Sequence, residues 1–275
     1  MNPWLETCCV IMVAAFGVLI GRAFSKLRKP YWFAGYVFAL LILLTLVLTR
    51  FAHAIAFNSP LAWITAGRTK FVIFSLAATI GLTTPLSRLP YKFEKIIIAI
   101  LMVIVVTWFS VLPFLTPALI KKHLASLDTL VNAEGVCFQT TDYTCAPAAA
   151  VTVLKKLGFS AHEGQIAIIA HTNPVAGTLP ECLNDALKKL YGPKGLRCDY
   201  RYFDSIEQLK NAGLTLAAVK AQFLSDHCVA VIDVSENTVT IADPVWGKTL
   251  LSHDQFRKIW RFSGIVLNRD SSLNI

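Results

Sequence analysis

The chain has 275 residues, of which 55% are hydrophobic and only 16% are charged, and its formal net charge is +9. That composition is too apolar for an ordinary soluble domain. The positive charge lies in the first half, because residues 1–122 hold twelve Lys and Arg but only two acids, Glu6 and Glu94. Basic residues that flank apolar runs are typical of membrane proteins, so we expect a lipid bilayer as a partner and no nucleic acid.

Four apolar stretches predict an all-α transmembrane region over residues 1–122. A helix needs about twenty apolar residues to cross the hydrocarbon core, and the third stretch is short by this measure. The first stretch is interpreted as a true span rather than a signal peptide, since no charge precedes it and three more spans follow. Residues 51–67, interrupted by Pro60, are predicted to be interfacial or re-entrant. The predicted spans cover about residues 4–24, 31–49, 71–86 and 96–120.

The basic residues of this region favour one orientation. More of them lie between spans one and two and between spans three and four than in the other loops, and basic loops stay in the cytoplasm. We therefore expect an integral protein of the bacterial plasma (inner) membrane whose C-terminal half is extracytoplasmic. The residues that set this bias are Arg22, Lys26, Arg28, Lys29, Arg88, Lys92 and Lys95.

Residues 123–275 are long enough for one domain with its own core. Capping and stop residues predict helices first, and apolar β-type runs predict strands afterwards. Helices followed by an antiparallel sheet make an α+β domain. The predicted helices are Pro147–Leu157, Glu163–Ala170, Pro180–Leu190 and Ser205–Asn211, and the predicted strands are Leu214–Lys220, Cys228–Val234 and Thr238–Ala242.

Cys145 is a candidate nucleophile. It stands just before the helix that Pro147 opens, and the partial positive charge at a helix N-terminus stabilises a thiolate. Taken alone, a buried structural cysteine is the commoner interpretation of such a residue. Whether Cys145 is a catalytic or a structural cysteine therefore depends on the other residues of the pattern.

A cysteine nucleophile needs an imidazole, and the imidazole needs a third group that orients it. His227 and Asp243 stand on two successive strands. If Ser235, Glu236 and Asn237 form a three-residue loop, Val234 pairs with Thr238 and Val229 pairs with Asp243, so that His227 lies diagonally from Asp243 on one face. A two-residue loop would place the two side chains on opposite faces.

Gln139 precedes Cys145 by six positions. Its amide, together with the backbone N–H of Cys145, can hold the oxyanion of a tetrahedral intermediate. Gln139, Cys145, His227 and Asp243 thus fill four roles of one active site in a compatible order.

These motifs are similar to those of the papain-like cysteine peptidases that remove double-glycine leader peptides from bacteriocins and related secreted peptides. The segments that carry the resemblance are Gln139–Cys145, the helix to Leu157-Gly158, Gly177-Thr178-Leu179, His227–Val231, Ile241–Gly247 and a closing helix at Ser252–Trp260. The resemblance implies a papain-like domain with Cys145 as nucleophile, His227 as general base and acid, Asp243 as orienter and Gln139 as oxyanion donor. It also implies a peptide or protein substrate.

The chain departs from this family in three ways, one of which is that the domain follows the membrane spans instead of preceding them. Ala146 stands where the family usually has Gly, and the chain has no phosphate-binding Gly-x-x-x-x-Gly-Lys-Ser/Thr motif. We therefore expect no ATP-driven export by this chain, and a separate exporter is a candidate partner. Two alternatives use the same residues: a peptide-binding module without hydrolysis, and an acyl-transfer enzyme or amidase.

No metal site and no cofactor are expected, because the Cys and His residues lack metal-ligand spacing. An extracytoplasmic domain would allow a disulfide between two of its cysteines. Cys228 is interpreted as a core residue. Core packing is also favoured over the lining of a substrate groove for four aromatic residues, Tyr202, Phe203, Trp246 and Trp260.

Overall fold

The computed structural model describes residues 3–51, 66–222 and 225–270, together with residues 54, 57 and 64. The chain divides into two compact units, an N-terminal unit, Met1–Leu119, and a C-terminal unit, Ile120–Ile275. Each unit is described by itself.

Helices form the described part of the N-terminal unit. Two of them are long and apolar enough to cross a membrane, Pro3–Lys26 and the continuous stretch Lys92–Leu119, and two are shorter. The number of four spans therefore stays a prediction, and most of the segment predicted to be interfacial or re-entrant, 51–67, lies outside the described residues. The helices are α1 Pro3–Lys26, α2 Phe33–Phe51, α3 Thr69–Thr83, α4 Lys92–Val106 and α5 Leu112–Leu119, with a π-helical turn, Thr107–Val111, between α4 and α5.

Helices α1 and α3 run parallel and pack closely through small residues. A Cβ atom on Gly17 would lie 2.0 Å from Thr79 Oγ1, and one on Gly21 would lie 2.8 Å from Thr83 Cβ. Glycine at these two positions therefore allows the helix backbones to approach closely, as small residues do between helices in membranes. Both helices begin at the same end of the unit, so the chain between them has to return, and α2 provides that return.

An ion pair joins the starting ends of α1 and α3. Arg68 Nη1 donates to Glu6 Oε2 at 2.5 Å, and the Arg68 guanidinium also lies 4.1 Å from the centre of the Phe114 ring. Pro117 has no N–H to donate to the carbonyl of Pro113, and Arg68 Nη2 approaches that oxygen at 3.5 Å. The arginine therefore binds three helices of this unit.

The C-terminal unit contains helices and two sheets. Its helices are α6 Lys121–Ala125, α7 Cys145–Lys156, α8 Glu163–Ile169, α9 Pro180–Tyr191, α10 Ile206–Ala212 and α11 His253–Ile259. Its strands are β1 Leu130–Val131, β2 Cys137–Phe138, β3 Leu196–Tyr202, β4 Thr215–Gln222, β5 Ser225–Val234, β6 Thr238–Asp243, β7 Gly247–Ser252 and β8 Trp260–Arg269.

Strands β3 to β8 form one antiparallel sheet in the order β3-β8-β4-β5-β6-β7. One face packs against α7 and α9 through residues such as Ala149, Leu187 and Ala230, and α8 packs against these two helices. The other face packs against α10 and α11 through residues such as Leu209, Val231 and Phe256. The predicted α+β fold, with helices on an antiparallel sheet, is confirmed.

Several elements differ from the sequence-based prediction. The helix predicted from Pro147 begins at Cys145, and the strand predicted from Cys228 begins at Ser225. Strands β1, β2, β3, β7 and β8 were not predicted. The first two have only two residues each, and the apolar–charged alternation of β3 was missed. Strand β7 lies at the sheet edge. The closing helix ends at Ile259, where β8 begins.

Candidate active site

Cys145 is the first residue of α7, the most deeply buried helix of the C-terminal unit. Residues Ala146 to Leu154 of that helix are all buried, whereas Cys145 itself is half-buried. The small side chains Ala148, Ala149 and Ala150 let α7 lie directly on the sheet. The sulfur is thereby held at a helix N-terminus, next to the strands that carry the other site residues.

The hairpin of β5 and β6 brings His227 and Asp243 together by a route that differs from the prediction. Val234 pairs with Val239 rather than with Thr238, because Ser235 and Thr238 bond across a two-residue turn. A register shift between Val231 and Asp233 then adds one residue to β5. Such a bulge reverses the facing of every residue beyond it.

Beyond the bulge, Ala230 pairs with Ala242. This is the register that was predicted for the site end of the hairpin. The predicted turn length was wrong by one residue, and the bulge compensates for that difference. His227 Nε2 lies 2.9 Å from Asp243 Oδ1.

The three candidate residues form a chain of hydrogen bonds. Asp243 Oδ1 bonds to His227 Nε2, and the His227 imidazole also bonds to the Cys145 side chain. Only 17% of the His227 side chain and 11% of the Asp243 side chain are exposed, so water screens their interaction weakly.

The carboxylate is fixed by the turn that follows it. Asp243 Oδ1 accepts the backbone N–H of Val245 at 2.7 Å and that of Trp246 at 3.3 Å. Gly247 closes this turn with a φ of 82°, a conformation that favours glycine. The Asp-Pro-x-x-Gly pattern therefore orients the carboxylate towards His227.

These contacts shift the ionisation of both groups. Burial alone would lower the pKa of His227, but the hydrogen bonds to Asp243 and Cys145 and the electrostatic effect of the same two side chains outweigh it and raise the pKa to about 9. Burial alone would raise the pKa of Asp243, but the bonds from His227, Val245 and Trp246 hold it below its usual value. The imidazole is therefore charged at neutral pH, and the carboxylate is ionised.

The neighbouring thiols are in a different environment. Burial, followed by the electrostatic effects of Cys145 and Asp243, raises the pKa of Cys228 well above 9.0. Burial also raises the pKa of Cys137 and of Cys198 to about 12. These three cysteines are neutral thiols at neutral pH, whereas Cys145 lies beside the His227 imidazole.

Gln139 lies beside the turn that holds Asp243. Its backbone N–H donates to the carbonyl of Pro244 at 3.0 Å. Its side-chain Oε1 is buried and has no hydrogen-bond partner among the residues that the structure describes. The structure thus brings all four predicted site residues to one end of the β5–β6 hairpin.

Two polar residues of this region were missed by the sequence reasoning. Glu163 is fully buried and accepts two hydrogen bonds from Thr140. Thr144 is also fully buried, and its Oγ1 accepts the backbone N–H of Thr141 at 3.1 Å. Glutamate in a first helical turn and threonine before a helix are common, so no sequence signal distinguished them.

The remaining predicted residues lie elsewhere. Phe203 and Trp260 are buried in the sheet's second core, as expected, whereas Trp246 is 82% exposed beside Asp243. None of the seven cysteines, all of which lie in the described ranges, forms a disulfide. Among the described residues, no cluster of His, Cys, Asp and Glu could hold a metal ion.

A Cys–His–Asp chain at a helix tip, on helices packed against an antiparallel sheet, defines the class of papain-like cysteine peptidases. The sequence model of the Peptidase C39 family matches residues 134–272, slightly more than half of the chain. The chain belongs to the Peptidase C39 family.

Two curated relatives are uncharacterized proteins from methanogens. The chain is 26% identical over 144 residues to a protein of Methanothermobacter marburgensis, a match that covers 52% of this chain and 95% of the relative. It is 24% identical over 143 residues to a protein of Methanothermobacter thermautotrophicus, a match that covers 52% of this chain and 94% of the relative.

The chain is also similar to solved structures. The peptidase domain of Streptococcus ComA, a bifunctional ABC transporter of a quorum-sensing pathway, matches with a TM-score of 0.44 and 22% identity, covering 52% of this chain and 98% of that domain. A double-glycine-motif protease from an AMS/PCAT transporter in complex with its leader peptide matches with a TM-score of 0.41 and 16% identity, covering 52% and 93%. A C39-like peptidase from Bacillus anthracis has a TM-score of 0.40 and 17% identity, covering 52% and 100%.

Proposed function

We propose that this protein is a membrane-anchored cysteine endopeptidase that hydrolyses a peptide bond in a peptide or protein substrate. The observation that carries the proposal is the hydrogen-bonded chain from Asp243 through His227 to Cys145. A raised His227 pKa favours an imidazolium beside the sulfur, which is the charge state that a nucleophilic thiolate needs.

In the first half of the reaction, the Cys145 thiolate attacks the carbonyl carbon of the scissile bond, and the carbonyl oxygen becomes an oxyanion. The Gln139 side-chain amide and the Cys145 backbone N–H donate to that oxygen. His227 then gives its proton to the leaving nitrogen, the C–N bond breaks, and the acyl group remains on Cys145 as a thioester.

In the second half, neutral His227 takes a proton from a water molecule, and the resulting hydroxide attacks the thioester. The C–S bond breaks, the acid product leaves and the imidazolium–thiolate pair returns. Asp243 stays ionised throughout, since its oxygen accepts three hydrogen bonds, and it keeps the imidazole in one orientation.

A double-glycine-type leader is the substrate class that we propose. It rests on the motif resemblance at Gln139–Cys145, His227–Val231 and Ile241–Gly247 and on membership of the Peptidase C39 family. A separate exporter would then take over the released peptide.

We further propose that four helices of the N-terminal unit anchor the protein in a plasma membrane. The parallel arrangement of α1 and α3, with α2 leading the chain back between them, supports three crossings, and Lys92–Leu119, which is long and apolar enough to span a membrane, adds the fourth. The loops after α1 and after α3 also meet, since Arg88 Nη2 donates to the Leu27 carbonyl at 2.5 Å. By the positive-inside rule this basic end is cytoplasmic, and both chain termini are outside. The test is a reporter enzyme that works only in the cytoplasm, fused to the C-terminus. Activity of this reporter would contradict the proposed orientation.

The catalytic proposal is tested by alkylation of the full chain with iodoacetamide. We expect Cys145 to react faster than Cys182, which is also half-buried, and than Cys198. The His227→Ala variant should remove this advantage. Equal rates at Cys145 and Cys198, together with no effect of His227→Ala, would overturn the proposal.

The same acyl-enzyme could pass its acyl group to an amine instead of water. Peptides with Gly-Gly pairs, incubated with and without an added amine, separate the two outcomes by mass spectrometry. We expect free carboxyl termini in both samples. Binding of the peptides without any cleavage would favour the peptide-binding alternative.

A further inference from the structure

Glu163 is a buried carboxylate that takes no part in the proposed reaction. It is the first residue of α8, and none of its surface is exposed. Its Oε1 accepts the backbone N–H of Thr140 at 3.0 Å, and its Oε2 accepts the Thr140 hydroxyl at 2.6 Å. Taking a carboxylate out of water is costly unless hydrogen bonds compensate, and here both oxygens are bonded to the same residue.

Thr140 directly follows Gln139 in the chain. The N–H of Gln139 is tied to Pro244, in the turn that holds Asp243, and the N–H of the next residue is tied to Glu163. Two successive backbone groups are therefore held by two different elements, the β6–β7 turn and α8.

The side-chain oxygen of Gln139, unlike these backbone groups, is not held by a hydrogen bond among the described residues. This Oε1 is buried without a partner among the described residues, so no hydrogen bond to that atom sets the direction of the amide. The position of the amide then depends on the backbone from which the side chain projects. At the other end of the same loop, Thr144 bonds back to Thr141 just before Cys145.

We propose that Glu163 is a positioning residue that holds Gln139 where its amide can donate to the oxyanion. This inference rests on the proposed function, and it concerns the Gln139 side of the site only. Loss of the tether would let the amide move, and a displacement of about 1 Å in an active site can cost on the order of a hundredfold in rate. The thiolate–imidazolium pair would stay in place, because Asp243 and α7 hold it.

Two reagents separate these parts of the site in the detergent-solubilised full chain. 4-Nitrophenyl acetate acylates Cys145 through an oxyanion: a C–S bond forms, the C–O bond to the nitrophenyl group breaks and 4-nitrophenolate leaves. Iodoacetamide alkylates the sulfur without any oxyanion. Subtraction of the rate measured with the Cys145→Ala variant removes the contribution of other thiols.

We expect Glu163→Ala to lower the acylation rate about 10- to 100-fold, approaching the loss caused by removal of an oxyanion donor. Thr140→Val, which keeps the backbone N–H and removes the hydroxyl, should cause a smaller loss. Glu163→Gln should rescue much of the rate, because its amide oxygen can accept the Thr140 N–H while its NH₂ donates to the Thr140 hydroxyl. Alkylation by iodoacetamide should stay within about twofold in every variant, which also shows that the site is folded.

The decisive measurement is the double variant. In a Gln139→Ala background, Glu163→Ala should change acylation by less than about twofold, since the group that it positions is gone. Additive losses from Glu163→Ala and Gln139→Ala, or an unchanged acylation rate in both Glu163→Ala and Thr140→Val, would overturn the inference. Absence of Cys145-dependent acylation in the wild-type chain would instead overturn the proposed function, and this inference with it.

Discussion

The threonine hydroxyls of the N-terminal unit and the site residues of the C-terminal unit find their hydrogen-bond partners in opposite ways. In the N-terminal unit, threonine hydroxyls donate to carbonyls of their own helix, as Thr7 does to Pro3 and Thr79 does to Ser75, both at 2.8 Å. In the C-terminal unit, the important bonds connect distant segments: His227 to Asp243, Thr140 to Glu163, and the Glu163 backbone to Thr129.

The difference reflects what each unit has to bury. Helices that face lipid satisfy their backbone internally and need only small polar groups that find partners locally. The hydroxyls of Ser75 and Ser110 are even buried without a partner among the described residues. A hydrolytic site needs charged groups that stay ionised out of water, and only segments from several elements can surround them with donors.

The largest expected effect comes from removing the nucleophile in the C-terminal unit. Cys145→Ala should abolish peptide cleavage, a loss on the order of a million-fold in kcat, because the nucleophile is removed. Cleavage would be measured by mass spectrometry on peptides that contain Gly-Gly pairs. Cys182→Ala is the matched control and should leave the rate unchanged; equal activities of these two variants would contradict the assignment.

A smaller loss is expected at Asp243. Asp243→Ala should lower kcat by about ten-thousandfold, because the imidazole loses both its orientation and the charge that favours its protonated form. Asp243→Asn should lose less, since its amide oxygen can still accept from His227 and Val245. The measurement is kcat for both variants at pH 7, and a larger loss in Asp243→Asn than in Asp243→Ala would argue against an orienting role.

The next effect is the pH dependence of the contribution that His227 makes to the free energy of unfolding. The His227 pKa is raised from 6.5 to about 9 in the folded protein, so its stabilising effect is complete below pH 6.5 and is lost as the pH rises through 9. The difference in unfolding free energy between the wild-type chain and His227→Ala should shrink by up to about 3 kcal/mol over that range. Urea titrations of the full chain at pH 6, 7.5 and 9.5 would measure it. A difference that grows with pH would have the wrong sign.

The smallest effect is expected in the N-terminal unit. Gly17→Ala should destabilise the protein by about 1–3 kcal/mol, because the new Cβ would lie 2.0 Å from Thr79 Oγ1 and the helices would have to separate. Thermal unfolding in detergent would show it. Gly192→Ala is the control, since a Cβ there meets nothing within 4 Å, and Thr79→Gly combined with Gly17→Ala should restore stability. Equal melting temperatures of Gly17→Ala and Gly192→Ala would show that α1 and α3 do not pack in this way.

Much of the C-terminal fold could be predicted, because its signals are local. Pro147, Pro180 and Ser205 mark helix starts, and the apolar run Cys228–Val234 marks a buried strand. Strand β3 alternates buried residues with exposed charged ones, a period-two pattern typical of a strand, so this strand could have been predicted and was missed. The role of Glu163 could not be foreseen, because it depends on Thr140, which is 23 residues away.

The sequence by itself determined which residues are available for the chemistry, Gln139, Cys145, His227 and Asp243 in that order, and which segments are apolar enough for a membrane. Only the tertiary structure decided that they meet. The turn of the β5–β6 hairpin has a different length from the predicted one, and the bulge between Val231 and Asp233 restores the facing of His227 and Asp243. Side-chain facing alternates with every residue of a strand, so one inserted residue, which only strand pairing reveals, decides whether the two groups share a face.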